Sequence, residues 1–250
     1  MIGAVDRTVM WLTFRQLFVR RRLVAAVLFS LVPLVITLIF RAGHERTSQE
    51  TLRFALMLYR EIAVGTLLPL AAVVFGTAAF GGEFEEGTIV YLLVKPVARW
   101  RVVASKYVVA ALSTTLVMAP AVALPWLVLG GGAVPPTVPV AYAAGIGAGA
   151  LLYCALFILM GISSKRALVL GLLYIVALEF VMSRQVAGVR SLSIREFVLT
   201  IVGKLGEGQP GLVAGTVTMD TVWTMGALIL AGSLGLAIHR LRTFELAERL

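Results

Sequence analysis

Tyr107–Leu129, YVVAALSTTLVMAPAVALPWLVL, and Val140–Ile162, VAYAAGIGAGALLYCALFILMGI, are each 23 residues without a charge, and they are joined by the uncharged Gly130–Pro139, GGGAVPPTVP. About 20 apolar residues in a helix cross the roughly 30 Å of hydrocarbon in a bilayer, so each run is long enough to span. The glycine- and proline-rich decapeptide between them has the composition of a tight turn. Together they predict two antiparallel membrane helices.

Four further low-charge runs flank this pair: Leu23–Phe40, Ile62–Phe80, Ala167–Met182 and Thr221–Ile238, of 18, 19, 16 and 18 residues. The expectation is an all-α integral membrane protein forming one domain over 1–250, with spans at 23–40, 62–80, 107–129, 140–162, 167–182 and 221–238. Composition agrees, since 60% of the 250 residues are hydrophobic and 14% charged, against about 25% charged in an ordinary soluble domain. The longest piece outside the spans, 183–220, has 38 residues, too few for a separate soluble catalytic domain.

The net charge of +9 reads as a topology signal rather than as a nucleic-acid one, because lysines and arginines beside apolar spans mark the cytoplasmic face and its anionic lipid. With both termini inside, that face holds Arg7, Arg15, Arg20, Arg21, Arg22, Lys95, Arg99, Arg101, Lys106, Lys165, Arg166, Arg240, Arg242 and Arg249, fourteen of the 22 basic residues. Cys154 is alone, and His44 and His239 fall on opposite sides of the predicted membrane, so neither a disulfide nor a metal site is expected. The run after residue 22 is longer than a signal-peptide core and lacks a small-x-small cleavage site, so span 1 is expected to remain a membrane helix.

Residues 6–22, DRTVMWLTFRQLFVRRR, place Trp11, Phe14 and Phe18 at helical spacing ahead of Arg20, Arg21 and Arg22. Two readings stay open: an amphipathic helix in the inner interface, or a basic flank that only orients span 1. Leu52–Tyr59 is an apolar stretch ended by Arg60-Glu61, so span 2 begins either at 62 or near 52. Pro69 with Gly65 and Gly76 predicts a kink there, as Pro33, Pro120 and Pro125 do in spans 1 and 3. Ala141, Gly145 and Gly149 form a small-residue stripe that lets helix backbones approach closely. Within 183–220, Ile194, Phe197, Val198, Ile201, Val202 and Leu205 recur at helical spacing. They predict a short amphipathic helix started by Ser191 or Ser193, stopped by Gly206 and Gly208, and lying on or dipping into the outer interface.

The loop Gly81–Lys106, GGEFEEGTIVYLLVKPVARWRVVASK, carries the functional signal. Glu83, Glu85 and Glu86 stand at the membrane exit. Gly87-Thr88 then opens an apolar run through Tyr91 and Leu92 that ends at Lys95-Pro96, where proline stops a helix. A loop between two spans has no need of an apolar helix unless that helix lies on the membrane or docks into a partner's groove.

At these residues the chain resembles the ABC-2 type transporter permeases, in which Glu-x-x-x-Gly-Thr is followed by a short hydrophobic helix, a Lys/Ser-Pro-Val-x-Arg element and a lysine before span 3. Here the matching positions are Glu83, Gly87, Thr88, Lys95, Pro96, Val97, Arg99 and Lys106. The resemblance extends to the N-terminal connecting helix, the six spans and a Leu-Ser-x-x-x-Phe pattern (Leu192, Ser193, Phe197) in the outer region.

The resemblance implies that 81–106 docks onto a separate ABC ATPase subunit. It also implies two such ATPases with two permease halves, either a homodimer or a pair with a paralogue, in a bacterial or archaeal cytoplasmic membrane. ATP and Mg would be bound by the partner, since this chain has no phosphate-binding G-x-x-x-x-G-K-[ST] motif. No cofactor, catalytic residue or metal ligand is expected in it. The three glutamates read as pairing groups rather than as acids for catalysis.

Glu179 is the one acidic residue inside an expected span. Such a carboxylate invites a functional reading, but its place three residues from the span's end, close to Arg184, favours a snorkelling or ion-paired interfacial residue. Apolar spans with scattered threonines suit a hydrophobic or amphipathic cargo. In the resembling transporters spans 2 and 5 line the path, which nominates Thr66, Pro69, Tyr174 and Glu179. The leading reading is therefore an exporter permease. The alternatives are a membrane scaffold that recruits an ATPase without moving cargo, a membrane enzyme, and a proton-coupled carrier that relies on Glu179.

Overall fold

The computed structural model describes residues 20–43, 47–85, 98–164, 166–182, 190–209, 211, 212 and 214–247. Among these residues the regular structure is entirely helical. In chain order the α-helices are α1 (Arg20–Ala42), α2 (Ser48–Met57), α3 (Leu68–Glu85), α4 (Arg99–Leu129), α5 (Thr137–Ser163), α6 (Ala167–Tyr174), α7 (Ile194–Leu205) and α8 (Met219–Ala247). Two wide π-helical segments, π1 (Leu58–Leu67) and π2 (Ile175–Met182), continue α2 into α3 and extend α6.

Among the described residues, four helical stretches are apolar and long enough to cross a membrane: Ser48–Gly81, Arg99–Leu129, Thr137–Ser163 and Met219–Leu241. Leu28–Ala42 and Ala167–Glu179 are shorter apolar helices. The protein is an integral membrane protein.

α2 starts well before the 62–80 run. Thr47 accepts from the Glu50 amide while the Glu50 carboxylate accepts from the Thr47 amide, a reciprocal cap that fixes the helix start. Arg53, Arg60 and Glu61 therefore lie on a continuous helix rather than in a loop. The wide geometry of π1 ends just before Pro69, which removes an amide donor from the turn it enters, so the kink expected from proline takes the form of a segment of wider turns. Thr66 Oγ1 donates to the Glu61 carbonyl five residues back, 3.0 Å away.

α5 is the centre of the bundle, packed against α3, α4, α7 and α8, and Tyr142, Tyr153, Cys154 and Phe157 on it are buried. α4 contains Pro120 and Pro125. The carbonyl three residues before each proline is taken up by a neighbouring helix: Ser30 Oγ donates to Val117 O at 2.9 Å and Tyr59 Oη to Val122 O at 3.0 Å. These bonds tie α1 and π1 to α4 in the turns beside its prolines. Apolar side chains that stay exposed, such as Leu31, Val35 and Ile39 on α1, Leu168, Val169 and Leu173 on α6, and Trp223, Leu228 and Leu236 on α8, face outward from the bundle. In an integral membrane protein that surface is solvated by lipid.

Of the two placements expected for the amphipathic helix, on the outer interface or dipping into it, burial of α7 among the other helices favours the second. Ser193 caps it, its Oγ accepting from the Glu196 amide, and Gly206 follows its end. However, Ile194, Phe197, Val198, Leu199 and Val202 are each 0% exposed, so the helix is enclosed on nearly all sides. The small-residue stripe of α5 is its seat. A Cβ at Gly145 would stand 2.6 Å from Val202 Cγ2, and one at Gly149 would stand 2.6 Å from Val198 Cγ2. Gly149 lies about 18 Å along α5 from its start, and the first residues of α7 reach past it.

Candidate functional site

The two π-helical segments each deliver a carboxylate to the start of α7. From π2, Glu179 Oε2 accepts from Ser193 Oγ at 2.6 Å and Oε1 accepts from the Ile194 amide at 3.1 Å. The first amides of a helix lack internal partners and carry the positive end of its dipole, so an anion placed there is stabilised without a countercharge. Glu179 is 2% exposed. The snorkelling reading of Glu179 is thereby overturned: the carboxylate turns inward to cap a buried helix, whereas Arg184 lies outside the described residues.

From π1, Glu61 pairs with Arg195, the second residue of α7. Arg195 Nη2 lies 2.9 Å from both Glu61 oxygens. The Arg195 side chain is 9% exposed and that of Glu61 38%, so the guanidinium is held inside while the carboxylate reaches partly outward. Gly65, one turn beyond Glu61, provides the room, since a Cβ there would lie 3.1 Å from Arg195 Nε. Arg60 stands at 3.5 Å from the same carboxylate, with its Nε buried and without a hydrogen-bond partner.

Aromatic side chains close the cluster. Tyr153, 0% exposed, lies close beside Glu179, but off the geometry of a hydrogen bond. Phe157 stacks at 5.9 Å on Tyr153 and meets Tyr174 edge-on at 6.0 Å, while Tyr142 tilts against Tyr59 at 5.2 Å. Glu196 faces the other way and accepts from the amide and hydroxyl of Thr216, 3.0 Å each, tying α7 to the segment ahead of α8. Beside Glu61 an open cavity of about 230 Å³ is lined by Arg53, Leu56, Met57, Arg60, Glu61, Tyr142 and Gly211.

Of the residues nominated from the sequence for a cargo path, Tyr174 and Glu179 come together around Phe157 and Tyr153. Thr66 is half-buried and bonded to the Glu61 carbonyl, and Pro69 is buried just beyond π1. Glu61 and Arg195 were missed. Both stand in segments with helical apolar periodicity, and opposite charges on two such segments were the available signal, but 134 residues separate them.

Most of the proposed coupling element lies outside the described residues: Glu86, Gly87, Thr88, Tyr91, Leu92, Lys95 and Pro96, as do Trp11, Phe14 and Phe18 of the N-terminal segment. Arg20, Arg21 and Arg22 open α1, and Glu83 and Glu85 are in the last turn of α3. Arg99 opens α4, two turns ahead of the Tyr107 start of the uncharged run. Lys106 is 1% exposed. Its Nζ donates to the Ala79 carbonyl at 2.6 Å and sits 4.5 Å from the centre of the Phe80 ring, so it braces α4 against α3.

A family model described as an ABC-2 family transporter protein matches residues 18–203. The chain belongs to this family. Membership makes it a membrane permease component of an ABC transporter, whose ATPase is a separate partner, and the matched stretch takes in the 81–106 segment, Glu61, Glu179 and Arg195. A comparison with curated proteins finds no significant match.

Proposed function

We propose that this ABC-2 permease exports a hydrophobic or amphipathic cargo by alternating access, driven by two copies of the partner ATPase, which hold the ATP and Mg. In this reading the chain has six spans with both termini cytoplasmic, an N-terminal connecting helix, and a second permease half that is either another copy or a paralogue. The 81–106 segment is the coupling element.

The observation that carries the proposal is the double anchorage of α7. The two segments that deliver Glu61 and Glu179 belong to spans 2 and 5, and both hold one short helix inserted among the others. Closure of the ATPases pulls on 81–106, and α3 and α4 move together because Lys106 ties them. A shift of span 2 relative to span 5 then strains the grip on α7, so the helix acts as a plug whose position follows the state of the ATPases. Ion pairs suit that task, since they hold firmly in one geometry and lose their attraction steeply when separated into water.

Purification of the chain in mild detergent with its partner, followed by reconstitution, tests the reading. ATP hydrolysis stimulated by an apolar cargo is the expected result, and hydrolysis indifferent to every cargo would instead fit the scaffold alternative. Glu86→Ala and Thr88→Ala are expected to weaken ATP-driven transport while leaving insertion and assembly intact. Unchanged transport in these variants contradicts the coupling role of 81–106.

A further inference from the structure

We infer that the cavity beside Glu61 binds the oxyanion head group, a carboxylate or a phosphate, of an amphiphile whose apolar chain runs out along Leu56 and Met57. The inference deepens the exporter reading, and rests on it for treating the bound amphiphile as cargo.

The charges lining the cavity do not cancel. Both oxygens of Glu61 are engaged by Arg195, which is itself almost wholly buried behind the cavity wall. Arg60 reaches Glu61 only at 3.5 Å and keeps a buried Nε without a hydrogen-bond partner. Arg53 is exposed and makes no ion pair or hydrogen bond with any described residue. Two guanidinium groups therefore line the cavity with one carboxylate that Arg195 already holds by both oxygens, and a planar fork of N–H donors matches an oxyanion.

Spacing makes the site a single surface. Arg53, Leu56, Met57, Arg60 and Glu61 fall at i, i+3, i+4, i+7 and i+8, which is one face of the helix formed by α2 and π1. The opposite wall is Tyr142 and Gly211, the latter with φ +83° and space for a Cβ only at contact distance, 3.4 Å, from Leu56 Cδ1. At about 230 Å³ the volume is below that of a drug-sized pocket. It holds a head group and its first methylenes. Met57 is 68% exposed, so the mouth is apolar and open on the side where a chain would leave.

The test measures retention of radiolabelled oleate by the full-length protein in nanodiscs of zwitterionic lipid, corrected for empty discs, with lysophosphatidate, monoolein and inorganic phosphate as competitors. Saturable oleate binding is expected, with competition by lysophosphatidate and none by uncharged monoolein. Displacement by phosphate only at far higher concentration would place part of the affinity in the chain. Arg53→Gln and Arg60→Gln are each expected to weaken binding by about tenfold or more, and Arg53→Lys by less.

Equal competition by monoolein, or Arg53→Gln binding like the parent, overturns the site. Arg53 is exposed, so its variant keeps the test decisive even if Arg60→Gln misfolds. Binding is scored without ATP: its failure leaves the permease reading standing, whereas failure to co-purify an ATPase would overturn that reading and leave the site.

Discussion

Lys106 and Glu179 are buried to the same extent, 1% and 2% exposed, but the groups around them differ. Lys106 donates to the Ala79 carbonyl beneath the Phe80 ring and joins two helices that are near neighbours in sequence. Glu179 takes bonds from a hydroxyl and a helix-terminal amide, and through Arg195 the same helix is tied to Glu61 on a third element. The lysine braces two helices that are adjacent in the chain. The glutamate belongs to a connection between distant parts of the chain, and its removal strands donors that water cannot reach.

The sharpest way to break this contrast is at Glu179. Glu179→Leu leaves Ser193 Oγ and the Ile194 amide without their acceptor, and a cost of about 3 kcal/mol is expected. It is read as a lowered midpoint of thermal unfolding in detergent. Glu179→Gln keeps an acceptor and should cost less than half as much. A leucine variant as stable as the parent would place Glu179 with Lys106 as a replaceable group.

Next in size is the seat of α7. Gly149→Val drives methyl groups into Val198 and Leu68, whose side chains already stand 2.6 and 2.8 Å from an added Cβ. Overpacking of this kind costs about 1–3 kcal/mol, and faster proteolysis within 206–218 is the expected readout. Unaltered protection would mean that α7 is not held by this stripe.

The Glu61–Arg195 pair comes third, because Glu61 is 38% exposed at its side chain and water screens part of the attraction. A double-mutant cycle with Glu61→Gln and Arg195→Gln should return a coupling of about 1–2 kcal/mol. A value near zero would reduce the pair to a surface contact. The smallest effect is predicted for Lys106→Met, within about 1 kcal/mol of the parent. A loss comparable with that of Glu179→Leu would erase the difference between the two regions.

Four long apolar stretches, a turn that ends at Pro136 rather than Pro139, the Ser193 cap and the Gly206 stop were legible, because each depends on local chemistry: hydrocarbon length, proline and glycine geometry, an orphan amide. The start of α2 was not settled, since Arg60-Glu61 interrupts the apolar run and a count of uncharged residues stops there, although the helix passes straight through. The spacing of Thr47 and Glu50, a capping-box pair, is the sequence signal that places its start. The enclosure of α7 was not legible either. Its amphipathic pattern fits a surface helix, and only the meeting of Gly145 and Gly149 with Val198 and Val202 reveals an interior one. The partner of Glu179 is a helix terminus rather than a charge, so a search for nearby basic residues pointed to Arg184 instead.

α7 is inserted among the other helices, with its first turn buried and its last turn at a surface. Single cysteines at 194, 198 and 205, in a Cys154→Ser background, can be exposed to a membrane-impermeant maleimide from either face of sealed vesicles. Rapid labelling is expected at 205, where Leu205 is 56% exposed, and none from either face at 194 or 198, where Ile194 and Val198 are 0% exposed. Labelling at 198 as fast as at 205 would put α7 at the surface and contradict its insertion.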